Sequence, residues 1–454
     1  MAALRFLTVL SVVFGMTLGQ HFLGSGRQHA PNRFNFFDIE LLKEVIRQEG
    51  AHNFVISPAS AKAVLAMLWE GAAGKTAIEI QKALRLEGSS TSHQLIFNSF
   101  LKSLKVKHPG TAVEIANQIF VSPEITVNHL YQEALTNIYL SGTQNVEFTN
   151  PQLAASTING WVLKNTHGLI RTLVAPQAMN PQTKALVANA LYFRGRWAVP
   201  FDKRATTVRC FYPIPSVCKN ANFMETVGQH SFANLRDLNA KALEISYQGS
   251  KFSMLFLLPN NDIDELLRDL SYQPLNTIIP KLESTTVVVS IPRFAIEFDV
   301  DLTASLTNLG IRDLFTPAAN LSGMVQKGEN VFINKVFQKV VLEIDEEGTV
   351  GAAASGAVAV PLQGPTLPRF QASRPFLFFV RDIETGNYLF AGLVEQPELA
   401  TEPLNSNPPQ PNFSTVLKPV SINPVESKID ETTHSNGSPN RRPGDGLDTI
   451  RYPV

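Results

Sequence analysis

The chain's only thiols, Cys210 and Cys218, flank Tyr212-Pro213-Ile214-Pro215. Such a pair either closes a hairpin-like loop or remains two free surface thiols. Metal binding is the poorer reading, because no second Cys or His pair lies nearby. A closed loop of this size would contribute about 2 to 3 kcal/mol if unstrained. Gly74-Lys75-Thr76 has the ending of a phosphate-binding loop, yet that motif needs a glycine where Trp69 stands. The triplet reads instead as a loop glycine before a helix, with Thr76 and Glu79 as a capping box. No Gly-x-Ser-x-Gly, His-Glu-x-x-His or Cys-x-x-Cys occurs, so the local signatures of hydrolases and metal sites are absent, and no cofactor or metal is expected. Lone histidines such as His108 and His167 read as surface or structural residues. Lys102, Lys105 and Lys107 read as a solvated helix end suited to the dipole, not as a polyanion or glycosaminoglycan site.

The unusual chemistry lies later. Val350 to Val360 is a run of small, uncharged residues (Val-Gly-Ala-Ala-Ala-Ser-Gly-Ala-Val-Ala-Val) ending at Pro361. It follows the apolar strand pattern Val336 to Ile344 and the acidic turn Asp345-Glu346-Glu347-Gly348-Thr349. Two more apolar strand patterns, Pro375 to Val380 and Leu389 to Val394, come after it. A low-complexity linker would have this composition, but an insert between core strands is usually functional. Nothing on this run is bulky or charged, so it is able to thread between packed strands.

The rest of the chain must hold that run. The 454 residues carry 39 basic and 39 acidic side chains, with 44% hydrophobic and 17% charged residues. A formal charge of zero gives no pull toward nucleic acid or anionic lipid, and the apolar content excludes a disordered protein. Met1 to Gly19 reads as a secretory signal, with Arg5 ahead of the apolar stretch Phe6 to Val13 and the small residues Thr17 and Gly19 before a cleavage site. A secreted, extracellular protein is therefore expected. Residues 20–34 read as an N-terminal arm. From 398 to 454 periodicity stops and proline recurs, as expected of a disordered tail.

Between these ends, helical and strand patterns mix without a βαβα rhythm, which argues for an α+β fold. Phe37, Leu41, Leu42, Val45 and Ile46 form one helical face. Ser57-Pro58 opens a second helix that Gly71 closes. Val113–Val121, Ala185–Phe193, Leu243–Leu258 and Val287–Phe298 read as long strands of a large sheet, between turn signals such as Gln248-Gly249.

In this order the segments resemble the serpin family of serine protease inhibitors. The segments that carry the resemblance are Asn53 to Ser60, Gly71 to Ile80, Asn189 to Trp197, Ser253 to Asn260, Ile291-Pro292-Arg293-Phe294, Leu309-Gly310-Ile311 and Leu321 to Met324. The resemblance implies one domain over 35–397, with three β-sheets, eight or nine helices and an exposed reactive loop at about 346–368. It implies a hinge at Glu346, Glu347, Gly348, Thr349, Gly351, Ala352, Ala353 and Ala354, free of charge after Glu347 and free of proline, as inhibitory members require. It places Ser57, Ser60 and Asn189 in a shutter controlling sheet opening, Trp197 at the breach above it, and the reactive bond between Leu362 and Gln363. Leucine there implies a chymotrypsin-like or elastase-like serine protease as partner, met by a monomer. The non-inhibitory carriers of the family are the alternative. Gln338 stands where histidine is common, and Ser373 where Asp or Asn is usual. Asn320, Asn412 and Asn436 begin glycosylation sequons.

Overall fold

The computed structural model describes residues 34–50, 53–86, 90–105, 110–270, 275–349 and 367–397. Residues Gly351 to Ala354, Leu362, Gln363, Asn412, Asn436, Lys107 and His108, with the signal, arm (up to residue 33) and tail segments, lie outside the described residues.

Eight α-helices are present among the described residues: α1 (Phe34–Glu49), α2 (Pro58–Gly71), α3 (Gly74–Ala83), α4 (Ser90–Lys105), α5 (His129–Asn137), α6 (Pro151–Asn165), α7 (Ile263–Leu270) and α8 (Thr303–Asn308). The strands are β1 (Phe54–Ile56), β2 (Thr111–Val121), β3 (Gly142–Asn145), β4 (Ala185–Arg196), β5 (Thr207–Ile214), β6 (Val217–Leu235), β7 (Ala240–Ser246), β8 (Phe252–Pro259), β9 (Glu283–Pro292), β10 (Phe294–Asp301), β11 (Lys335–Ile344), β12 (Gly348–Thr349), β13 (Arg369–Gln371), β14 (Phe376–Asp382) and β15 (Tyr388–Val394). The fold is α+β. No described helix is long and apolar enough to cross a membrane.

One sheet has the order β10-β11-β4-β2-β3, with β12 added on β4. The other runs β1-β15-β14-β8-β7-β6-β9-β13, with β5 on β6. The 19-residue β6 pairs with β5 at its start, with β9 from Phe223 to Phe232 and with β7 only at its end, so a single strand joins what would otherwise be two sheets. Helix α2 is buried from Pro58 to Leu68, as befits a helix apolar on nearly every side. The one charge in that buried stretch, Lys62, meets the buried Asp38 of α1 at 2.8 Å. Ser57 caps α2, its hydroxyl accepting the Ser60 N–H at 3.2 Å.

Three local expectations change. Helix α3 begins at Gly74 behind Ala73, with no side-chain cap. Thr76 instead accepts the Asn320 N–H, and Glu79 accepts the N–H groups of Arg312 and Asp313, so both proposed cap residues serve tertiary contacts. The apolar run Leu243–Leu258 is two strands around the Gln248-Gly249 turn. Val287–Phe298 likewise divides at Arg293 into β9 and β10, which enter different sheets.

Candidate functional site

Strand β4 is the centre of the site. Its odd-numbered residues Val187, Leu191 and Phe193 join the main core, while Leu186, Ala188 and Ala190 pack with Ile158 and Val162 of α6. Both faces are covered, which explains an almost uninterrupted apolar strand. One edge of β4 pairs with β2 along its whole length, including Gly195 with Thr111. Its other edge pairs in parallel with β11 from Leu186 to Tyr192. Beyond Tyr192 the two strands part, and β12 returns antiparallel onto the vacated edge, Thr349 opposite Gly195 and Gly348 opposite Arg196. Gly348 and Thr349, just ahead of the small-residue run, are thus laid into the mouth of the β4/β11 seam.

A glycine is needed at the turn. Gly348 has φ of +144°, and a Cβ there would lie 2.0 Å from the Gly195 carbonyl oxygen. Asp345 orders the turn by accepting the N–H groups of Glu347 at 2.8 Å and Gly348 at 3.1 Å. Burial pushes the Asp345 carboxyl above its ordinary value despite these bonds, and the negative charges of Glu347 and Glu346 add to the rise.

Glu346 and Glu347, expected at the start of an exposed loop, are buried. Arg293 grips both oxygens of Glu346, at 2.7 and 2.5 Å, and the Thr206 hydroxyl donates to the same carboxylate. Lys203 meets Glu347 at 2.5 Å, and this bond raises the pKa of the lysine. The backbone is held as well: the Trp197 N–H donates to Glu347 O and the Phe201 N–H to Glu346 O, each at 2.8 Å. Trp197 stacks on Tyr247 at 4.6 Å and donates its indole N–H to Asp345 O at 2.9 Å. Tyr247 completes the clamp with a 2.9 Å bond to the Thr349 hydroxyl, and its burial raises the phenol pKa. Trp197 therefore shares one cluster with Glu346, Glu347, Gly348 and Thr349, the described part of the expected hinge.

The second cluster lies lower on the same seam. Gln338 of β11 accepts the Ser57 N–H at 2.7 Å and donates to Ser57 O at 3.1 Å and to Asn189 Oδ1 of β4 at 2.7 Å. Asn189 in turn donates to the Ser60 hydroxyl and to Asn117 Oδ1. Ser57, Ser60 and Asn189 are thus brought together with Asn117 and Gln338, all buried. Sequence reasoning missed Asn117, Tyr247, Arg293 and Lys203 as site residues. A polar residue inside the apolar pattern Val113–Val121 was the available signal for Asn117. The other three carry none, since their partners are distant in sequence.

Cys210 and Cys218 form a disulfide across the β5/β6 hairpin, which resolves their two readings. Asn320 is exposed in the turn beside α3. Arg369 lies in β13, on the far side of the small-residue run. No group of three or more potential metal ligands occurs among the described residues.

The family model described as serpin (serine protease inhibitor) matches residues 32–397. This chain belongs to the serpin family. Among similar proteins, a leukocyte elastase inhibitor of Bos taurus is 33% identical, over 80% of this chain and 97% of its own. Serine protease inhibitor 2 of Anopheles gambiae is 31% identical, over 81% and 93%. Intracellular coagulation inhibitor 2 of Tachypleus tridentatus is 30% identical, over 80% and 90%. The crystal structure of Serpin48 from the insect Tenebrio molitor superposes with a TM-score of 0.73 at 29% identity, covering 82% of this serpin and all of that chain. Thyroxine-binding globulin, at 24% identity and the same TM-score, shares the fold. The serpin family is one of protease inhibitors, not of catalytic enzymes, and relatives named as inhibitors are prominent among the matches.

Proposed function

We propose that this serpin is a secreted suicide inhibitor of a chymotrypsin-like or elastase-like serine protease. The protease serine attacks the Leu362 carbonyl, the bond to Gln363 breaks, the new amine leaves with a proton, and an ester joins Leu362 to the enzyme. The hinge then extends β12 down β4, carrying the enzyme away before the ester is hydrolysed. The single observation supporting this is the position of β12: it already occupies the edge of β4 that β11 takes below, antiparallel to both. Lengthening it needs only that β11 move aside.

Continuing the β12 register has a definite result. Each further residue steps one place down β4, so Ser355 would fall opposite Asn189. By strand alternation, Gly351, Ala353 and Ser355 would face the main core with Thr349, and Val350, Ala352 and Ala354 would face α6. All are small and uncharged, as a strand buried on both faces requires. Secretion rests on the Met1 to Gly19 pattern, with residues 20–34 an arm and 398–454 a tail. The disulfide fits an oxidising compartment.

The test is incubation with chymotrypsin and with pancreatic elastase. A complex stable in denaturing gels and mass-spectrometric cleavage at Leu362-Gln363 are expected. Degradation of the loop by every serine protease tried, with no covalent complex and no gain in thermal stability on cleavage, would favour a carrier. Recovery of the chain from culture medium with an N-terminus near residue 20 tests the secretion signal.

A further inference from the structure

Helix α3 has an outward face that takes no part in the hinge or the shutter. Lys75, Ile78, Glu79 and Lys82 follow one another at one-, three- and four-residue steps and lie together on that face. With Glu40 of α1 and the turn Leu309 to Arg312 after α8, it borders a cavity of about 730 Å³. That is the size of a pocket for a small organic molecule. A Cβ built on Gly310, in the cavity wall, would meet nothing within 4 Å.

The charges around the cavity are unevenly committed. Glu79 accepts the N–H groups of Arg312 and Asp313, each at 2.8 Å, and meets Lys75 at 3.3 Å. Lys75 also holds Asp313 at 2.6 Å. Glu40 is engaged by Arg85, whose guanidinium stands 5.0 Å from the centre of the Phe36 ring. Both carboxylates that line the cavity are therefore spent within the protein, together with the cations Lys75 and Arg85. Lys82 and the Arg312 guanidinium remain. Both residues are exposed, and neither side chain has a carboxylate partner among the described residues. Arg312 is fixed by its backbone N–H on Glu79, which leaves its side chain over.

The surplus is two positive charges from two different elements, beside apolar wall. Ile78 is 49% exposed, and Ala83 and Leu309 line the same cavity. This combination suits a ligand with a doubly charged anionic head and an apolar body. A guanidinium meets two oxygens of a phosphate at once, and an ammonium adds a point charge. A long polyanion is a poorer occupant. The neighbouring cations Arg47, Lys75 and Arg85 are bonded to Glu44, Asp313 and Glu40, so they offer a chain of negative groups little beyond the two uncommitted charges.

We infer that the cavity between α1, α3 and the turn after α8 binds a small phosphate monoester, its head on Lys82 and Arg312 and its organic body on Ile78 and Leu309. None of these residues belongs to the hinge or the shutter, so the site stands apart from the inhibitor reading. A bound ligand ties α3 to the turn after α8 and stabilises the folded chain by mass action.

The test is binding of phenyl phosphate and of inorganic phosphate to the full chain, read by calorimetry and by the unfolding midpoint. Phenyl phosphate is expected to bind more tightly than inorganic phosphate and to raise the midpoint as its concentration increases. K82M and R312M should each weaken phenyl phosphate about tenfold, the loss of one charged hydrogen bond. I78S should weaken phenyl phosphate and leave inorganic phosphate unchanged. The unliganded midpoints of K82M and R312M should equal wild type, because the Arg312 N–H still reaches Glu79. K102M, which removes an exposed lysine of α4 outside the cavity, should bind as wild type does. No binding of phenyl phosphate, or equal binding by wild type and K82M/R312M, overturns the site. Equal affinity for the two probes overturns the organic body. Heparin binding that K82M/R312M weakens, without binding of phenyl phosphate, overturns the small ligand and assigns the two cations to a polyanion.

Discussion

Gln338 donates its side-chain N–H to Asn189 Oδ1 at 2.7 Å across the seam between β11 and β4, the two strands that must part for a new strand to enter. The same amide holds both the N–H and the C=O of Ser57 ahead of α2. One neutral side chain therefore fastens the seam to the central helix.

Gln338→Ala should loosen this seam. It leaves the Asn189 oxygen and both backbone groups of Ser57 buried without that partner, at a cost of about 3 kcal/mol. The expected outcome is a lower unfolding midpoint for the uncleaved chain, readable by thermal scanning. A midpoint equal to wild type would mean that the amide carries no tension across the seam.

Ser355 offers a complementary prediction. With a strand inserted, Asn189 and Gln338 would stand two strand spacings apart, about 10 Å, too far for their direct bond. Ser355 is the only side chain from Val350 to Val360 with a polar group, and the extended register sets it between them. A hydroxyl both donates and accepts, so it is able to satisfy the amide on each side. Ser355→Val should reduce the thermal gain that follows loop cleavage, by about 1 to 3 kcal/mol, with Ser355→Thr retaining it. The uncleaved midpoint should not change in either variant. An equal gain for Val and Ser would show that the inserted register differs.

Much of this arrangement is legible in the residues themselves. The hinge run stands out because an uncharged, small-residue segment between core strands has so few structural uses, and Ser57-Pro58 announces the start of α2 by its own capping chemistry. The partners that hold the hinge are a different matter. Arg293, Lys203 and Tyr247 look like ordinary strand or surface residues until the fold carries them to Glu346, Glu347 and Thr349. Thr76 and Glu79 show the reverse error. Their spacing suits a capping box, yet the backbone of 312–320 passes close enough to take both side chains. The division of 287–298 at Arg293 is hidden because apolar patterning continues through the bend.

Thr349→Arg tests the hinge. Thr349 is fully buried beneath Tyr247 and is the last described residue already paired on β4, from which insertion would continue. A guanidinium at this position has no buried partner, and its desolvation opposes strand entry. The expected outcome is a switch from inhibitor to substrate: loop cleavage continues, the band of covalent complex disappears, and the cleaved chain gains little thermal stability. An undiminished complex band would show that insertion does not proceed through Thr349.

Asp345 gives the hinge a pH dependence whose sign is fixed by its environment. Its pKa in the folded chain lies above the ordinary value of 3.8, chiefly through burial, so the ionised form destabilises the native state. That cost is fully present above the folded pKa. It is relieved as pH falls from the folded pKa toward 3.8, where the unfolded chain takes up its proton. Asp345→Asn removes the charge while keeping an oxygen to accept from Glu347 and Gly348. The variant should therefore unfold at a higher temperature than wild type at pH 7, and the difference should shrink steadily toward pH 4. Thermal scans across that range check it. A difference that grows on acidification would mean that the carboxylate's bonds to the turn outweigh the cost of burying it.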